Sequence, residues 1–342
     1  MPLTFYVING LLLRNSNYAG MMMKWSDALR LFKRVYEAIQ EDLGYSPVKL
    51  LKVIKEYPDF LPQLAEVPRS IHEGHVVKWH EWGERRYGLN IYSKSSMMCW
   101  CFRNGYYESF HLAMPEFDSF GLCEEVPYWA CEIQDVVGLS SAKSELHKFT
   151  SLDDLVETNS SEMINIITEE QLQKNLAHNE IRIIHQGNRT TDHFSSYLWD
   201  KRIFLSNSGG GHHFAAARYI ASRIKQKVPL KGKLMTYSIN PKSLDALCEK
   251  FSIFVISNGN PESNLFNDAM RAFRATYGWR SLPRPYDSYR AIFLPKDEPR
   301  SILVANVLLD AGVYDLGAYL AELVNRQKPI GLNCFSYQTN QF

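Results

Sequence analysis

Hydrophobic spacing divides the chain into a helical start, a sheet-forming stretch and an alternating second half. Over residues 27–42, Leu29, Phe32, Val35, Tyr36 and Ile39 recur at three- and four-residue intervals, with Leu43 just beyond, which is the period of one helix face. Ser26 can cap that helix and Gly44 can stop it. Ser46 and Pro47 open a second helix through Leu50, Leu51, Val53 and Ile54, ended by Pro58, so the pair predicts a helical hairpin. Residues 1–13 alternate and predict an edge strand. From 71 to 112 the period changes to two and predicts strands at 76–77, 87–92, 97–102 and 106–112. Between the last two, Asn104 and Gly105 supply the positive-φ pair of a type I′ hairpin turn. Residues 116–144 show weak periodicity and read as the connection between two domains, 1–145 and 146–342.

In the second half, Thr168 and Gln171 are spaced as a capping box before a helix that runs to Ala177. The apolar run at 181–185 predicts a strand. Residues 193–199 and 202–206 predict a hairpin turning at Asp200 and Lys201, followed by an Ala-rich helix at 214–224 and a strand at 233–239. A helix from Pro241, a buried strand at 252–257 and a helix at 266–277 come next. A proline-rich loop or extended arm spans 281–299, and helices at 302–309 and 316–324 close the chain. The fold class is α+β: a helical hairpin with an antiparallel sheet, then an α/β domain with extra C-terminal helices.

The chemistry centres on residues 201–224. Ser208, Gly209, Gly210 and Gly211 form a turn free to take positive φ, set between a strand end and a helix start. Such a turn leaves several amides unpaired at the positive end of the helix dipole, a ready site for an anion and most often for phosphate. His212 and His213 fall in the first helical turn. The pattern is neither a P-loop nor the G-x-G-x-x-G fingerprint. The same glycines would also serve a tight turn that holds no ligand.

This hairpin, the box Gly209-Gly210-Gly211-His212-His213, the run Ala215-Ala216-Ala217 and Val228-Pro229 before the next strand resemble the nucleotide-binding core of the ParB/sulfiredoxin superfamily, over about residues 181–240. The resemblance implies a ParB/sulfiredoxin-like second domain. Its ligand would be ATP, CTP or another phosphate-bearing small molecule, with Mg2+, serving hydrolysis, phosphoryl transfer or conformational switching. Gly211 stands where sulfiredoxins carry their catalytic cysteine and where the ParB box has glutamate, so sulfinic-acid repair is not implied. The box arginine maps to His213, or to Phe214 one residue on. Phosphate charge must then be met by amides, by protonated histidine, or by arginines from elsewhere. On this basis His212, His213 and Asp192 are the catalytic candidates, and Ser208, Gly209, Gly210, Gly211, Arg189 and Arg218 the ligand-binding ones. Asp192 would hold Mg2+ or orient a histidine. Neighbouring helical residues point about 100° apart, so His212 is expected to face the ligand while His213 packs.

Other features narrow the field. His72-Glu73-Gly74-His75 is one residue short of the zinc-protease H-E-x-x-H, so metal binding is not expected there. Trp79, Trp82 and Trp100 read as core. Six cysteines contain no C-x-x-C, and Cys99 and Cys101 read as free thiols on one strand face. Trp279, Arg280, Arg284, Tyr286, Tyr289 and Arg290 interleave aromatic and basic groups, which suits a nucleotide clamp, a surface loop or a dimer arm alike. The formal charge is +1, from 38 basic and 37 acidic side chains, and no helix-turn-helix is visible, which argues against nucleic-acid binding. No apolar run approaches the roughly 18 residues that span a bilayer, and no signal peptide is evident, so the expected place is the cytoplasm. The competing expectation is a non-enzymatic inhibitor of a mobile element or phage that docks on a host protein, favoured by the missing box acid and arginine.

Overall fold

The computed structural model describes residues 25–57, 67–83, 95–259 and 262–327; the strands expected at 1–13 and 87–92 lie outside them. Helices α1 (Trp25–Asp42) and α2 (Val48–Glu56) form the expected hairpin, and Gly44 between them takes a φ of 77°. Only α2 enters the core, where Leu50 and Val53 are buried with Phe266 and Met270. On α1, Leu29, Phe32 and Tyr36 remain 65%, 76% and 63% exposed. Among the described residues, the periodic face seen in the sequence is therefore an apolar stripe left open.

Two five-stranded sheets make up the body. The first has the order β2 (Tyr106–Ala113), β1 (Ser96–Arg103), β9 (Tyr277–Ser281), β10 (Tyr289–Pro295), β8 (Phe251–Ser257), and every pairing is antiparallel. Asn104 and Gly105 turn its first hairpin with φ of 52° and 86°, as their dipeptide predicts. The second has the order β3 (Gly121–Glu132), β7 (Pro229–Ile239), β5 (His193–Tyr197), β6 (Ile203–Ser206), β4 (Val136–Leu139), with β5 parallel to β7 and β4 parallel to β6. Strands from both sides of residue 145 share each sheet, so the division placed there cuts through both. Periodicity shows that a strand exists; it does not show its neighbour.

Four local expectations are corrected. The presumed connection at 116–144 contains β3 and β4; β3 lies at a sheet edge with residues such as Tyr128 82% exposed, so it carries no apolar alternation. Val76 and Val77 sit in a buried loop between the short turns Glu73–His75 and Trp79–Glu81. Residues 181–185 form a single helical turn, α5 (Arg182–His185), because a short apolar run fits a strand and a buried turn equally. The arm expected at 281–299 contains β10, and the segment before it is a loop running on from β9. Two of the arginines at this segment are used internally: Arg280, at its edge, donates to the carbonyls of Trp82 and Gly83, both at 3.0 Å, and Arg290 to Asn258 Oδ1 at 2.7 Å.

Three apolar cores hold the layers together. The central one draws Met97 and Phe293 from the first sheet and Phe204 and Ile239 from the second, with Trp79, Trp82, Leu247 of α7 (Pro241–Lys250) and Leu320 of α10 (Leu316–Arg326). Behind the first sheet lie α2, α8 (Glu262–Phe273) and α9 (Pro299–Asp310). Behind the second lie α3 (Leu152–Asn159), α4 (Glu169–Leu176) and α6 (Gly211–Arg223), packing Leu155, Leu172 and Phe214 on Phe194 and Leu234. Thr168 caps α4 by accepting from the amide of Gln171, one half of the expected capping box; the Gln171 side chain donates instead to the Met163 carbonyl at 2.9 Å.

A buried carboxylate ties the 70–82 loop to the second sheet. Glu73 accepts from Tyr197 Oη at 2.6 Å and from Ser206 Oγ at 2.7 Å, and pairs with Lys78 at 3.7 Å. Burial alone would raise its pKa; Lys78 and the hydroxyl donors outweigh that and hold it below the usual carboxylate range. Among the described residues no helix is long and apolar enough to cross a membrane.

Candidate functional site

The turn after β6 is built by two side-chain clamps. Asn207 is buried; its Nδ2 donates to the carbonyls of Ser141 and Gly209 at 2.9 and 2.8 Å, and its Oδ1 accepts from the Ser141 amide at 3.2 Å. One residue on, the amide and hydroxyl of Ser208 donate to Asp192 Oδ1 at 3.1 and 2.6 Å, while Arg182 donates to Ser208 Oγ at 2.6 Å. The chain then passes Gly210, with φ 71°, which caps α6 without a side chain. Glycine is required here on two counts. A Cβ on Gly210 would stand 2.7 Å from the Glu180 carbonyl carbon, and one on Gly211 would stand 2.7 Å from the Ser141 carbonyl oxygen. Among the described residues the amides of 209–213 make no hydrogen bond. A helix leaves its first amides without intrahelical partners, so these stand at the positive end of α6.

A cavity of about 540 Å³ borders that end. From the turn it is lined by Ser208, the three glycines, His212 and His213; from the loop after β4 by Lys143 and Ser144; from the end of α3 by Asn159, Ser160 and Glu162; and from the segment after α4 by His178 and Glu180. His212 is held at both nitrogens, with Nδ1 2.6 Å from Ser160 Oγ and Nε2 3.1 Å from Ser144 Oγ. Asn159 Nδ2 donates to that same Ser144 oxygen at 2.6 Å. His213 packs instead: its Nδ1 lies 3.0 Å from Asn175 Oδ1, and its ring stacks on His178 with centroids 3.8 Å apart. Burial pushes both histidines below the ordinary imidazole pKa, and for His213 the neighbouring His178 and His212 add to the effect. Both are therefore neutral imidazoles near pH 7. Cations and carboxylates share the cavity, since Lys143 faces the same space as Glu162 and Glu180.

Of the residues singled out by sequence, Ser208, Gly209, Gly210, Gly211, His212 and His213 come together on this cavity; Asp192, Arg189 and Arg218 do not line it. Asp192 sits behind the turn, where it holds Ser208 and borders a separate cavity of about 220 Å³. Arg189 is exposed in the short turn Gly187–Arg189. Arg218 lies two helical turns further along α6 and donates to Asp153 at 2.9 Å, tying α6 to α3. Asp192 is not placed to hold Mg2+ in this cavity. It spends one oxygen on Ser208 and buries the other without a partner, away from the cavity at the glycine turn, and among the described residues no three His, Cys, Asp or Glu side chains are placed to hold a metal ion.

Sequence reasoning missed Lys143, Ser144, Asn159, Ser160, Glu162, His178, Glu180 and Arg182. None carries a spacing signal, because each reaches the turn through tertiary packing of α3, α4 and the loop after β4. Backbone contacts at Gly210 and Gly211 bring in the segments of Glu180 and Ser141, while Asn159, Ser160 and Arg182 join through side-chain hydrogen bonds.

The fold and its cavity define a two-sheet α+β protein with a glycine turn feeding a helix. The chain belongs to the family of unknown function DUF6685, whose family model matches residues 126–330, a span that contains every residue lining the cavity. No curated protein and no solved structure matches the chain.

Proposed function

We propose that this cavity binds a nucleotide, or a related phosphate-bearing small molecule, with a phosphate group on the turn at 208–213. The observation that carries this is the set of unpartnered amides at 209–213 opening α6 beside a cavity of ligand size. Lys143 adds an exposed cation. The order hairpin, glycine turn, Ala-rich helix and strand parallel to the hairpin's first strand (β5, β6, α6, β7) is consistent with the ParB/sulfiredoxin resemblance. Glu162 and Glu180 argue for more than a bare phosphate: a carboxylate accepts hydrogen bonds, and the hydroxyls of a ribose or the amino group of a base would supply them. Hydrolysis or phosphoryl transfer at such a site would be a matter of positioning and charge neutralisation, in which the amides and Lys143 hold the phosphate and neutral His212 takes a proton from the attacking oxygen.

Calorimetric titration with ATP, CTP, GTP and ADP-ribose tests this. At least one should bind, and Lys143→Glu should weaken it at least tenfold while thermal unfolding is unchanged. A folded wild-type protein that gives no heat with any of the four ends the reading. A second reading, action by docking on another protein, is then left standing; the observation in its favour is the open apolar stripe of α1.

A further inference from the structure

Ser144 and His212 form a pair that neither the glycine turn nor a bound phosphate explains. The directions of the hydrogen bonds follow from which groups can donate. The amide nitrogen of Asn159 can only donate, so Ser144 Oγ spends a lone pair on it at 2.6 Å. The Ser144 hydrogen is then free to point at His212 Nε2, 3.1 Å away. That leaves Nδ1 carrying the imidazole hydrogen, directed at Ser160 Oγ at 2.6 Å. Ser160 is 3% exposed and sits on the end of α3, so the tautomer and ring plane are fixed from the buried side. Ser144 is half-buried on the cavity wall. A hydroxyl, a base at hydrogen-bond distance and a third group orienting that base make up the arrangement by which a serine becomes a nucleophile. The unpartnered amides run from Gly209 to His213 and so bracket His212, and Gly211 packs on Ser141 and Ala142, which brings the Ser144 loop onto the start of α6. Amide donors beside an activated hydroxyl are what an acyl-transfer centre needs.

We infer that Ser144 is a nucleophile activated by His212, and that the cavity cleaves a carboxylic ester or thioester through an acyl-Ser144 intermediate. Ser144 Oγ attacks the carbonyl carbon as its proton passes to His212 Nε2, and the carbonyl electron pair moves onto oxygen, which the turn amides receive. The pair returns, the bond to the leaving oxygen or sulfur breaks, and the proton on Nε2 goes to the leaving group. Water, deprotonated by Nε2, then attacks the acyl carbon and the proton returns to Oγ. Burial keeps His212 neutral, the form a base requires. This inference goes beyond the phosphate reading and does not rest on it, since an uncharged acyl group tolerates Glu162 and Glu180 where a polyphosphate needs cations to offset them.

The test is active-site labelling of the full chain with a fluorophosphonate probe, followed by peptide mapping, with p-nitrophenyl acetate hydrolysis measured in parallel. One adduct per chain on Ser144 is expected, absent in Ser144→Ala and slowed about 100-fold or more in His212→Ala, the share a positioned base contributes. Should Ser144→Ala unfold, Ser144→Cys decides: its thiol should be alkylated by iodoacetamide at pH values below those of an ordinary cysteine, and His212→Ala should abolish that advantage. An unlabelled wild type that is folded, an adduct on Ser160 in place of Ser144, or labelling equal in the presence and absence of His212 overturns the inference. Because nucleotide titration reads binding and the probe reads nucleophilicity, either can fail alone.

Discussion

Gly210 lies against the backbone of Glu180 so closely that a Cβ there would stand 2.7 Å from the Glu180 carbonyl carbon, at a φ of 71°. Two penalties therefore coincide, backbone strain and steric overlap with atoms that cannot turn aside. Gly312 separates them, because its φ is 74° but nothing lies within 4 Å of its Cβ position. Gly312→Ala should carry the left-handed penalty alone, about 1–2 kcal/mol, whereas Gly210→Ala should exceed it by a further 1–3 kcal/mol of overpacking. Urea unfolding of the two variants gives the comparison; equal losses would mean that the Glu180 segment yields freely.

Glu73 should be the most sensitive polar position of the 70–82 loop. Glu73→Ala leaves Lys78, Tyr197 and Ser206 facing a lost partner in a buried setting, and a loss of about 3–5 kcal/mol follows from breaking a buried pair on one side. Replacing Glu73 by Gln together with Lys78→Met should recover part of it. The pH dependence has a definite sign. Glu73 has a folded pKa below its ordinary value of 4.5, so its contribution is present above pH 4.5 and is lost as pH falls through the folded pKa. Thermal unfolding of wild type and Glu73→Gln over that range should converge in acid.

How much was legible in the sequence depends on whether the signal is local. Asn104-Gly105, Thr168 with Gln171, and Asp200-Lys201 each specify a turn or a cap within a few residues, and each turn or cap forms where expected. The glycine turn and its helix are local too, and so Ser208–Gly211 and the two histidines were found together. Asp192 and Arg218 were not separable from true lining residues, because the side of a turn or helix they occupy depends on what packs there, Ser208 in one case and Asp153 in the other. Ser144 and Ser160 lie 68 and 52 positions from His212, a relation no periodicity expresses. Edge strand β3 was hidden because water covers most of its side chains, and the sharing of both sheets across residue 145 because pairing is long-range.

Acidification should loosen the cavity before the rest of the chain. His212 and His213, with His72 and His75 on the neighbouring loop, all have folded pKa values below the ordinary 6.5, with burial the first cause in each. The fold thus favours neutral imidazole. That contribution is complete above pH 6.5, where the unfolded histidines are neutral as well, and is lost as pH falls through the folded values. The unfolding temperature should decline from pH 7.5 towards pH 5, and His212→Gln should flatten part of the decline. Hydrogen exchange should report the earliest opening at the start of α6; a decline that begins elsewhere would assign the pH sensitivity to other groups.

Phe32 and Leu50 share the same hydrophobic periodicity but should behave oppositely on truncation. Phe32 is 76% exposed on α1, so Phe32→Ser removes an aromatic ring from water and little from the core; a change within about 0.5 kcal/mol is expected, as for surface positions generally. Leu50 is 0% exposed on α2, in one core with Phe266 and Met270, so Leu50→Ala should lose about 2–5 kcal/mol through lost burial and an unfilled cavity. Chemical denaturation of both variants is the measurement. A loss above 2 kcal/mol for Phe32→Ser would show that the α1 stripe is covered in solution, and sedimentation at several concentrations would tell whether a second copy covers it. A neutral Phe32→Ser makes the stripe a surface held by neither packing nor assembly, and an exposed apolar stripe is the feature the docking reading relies on.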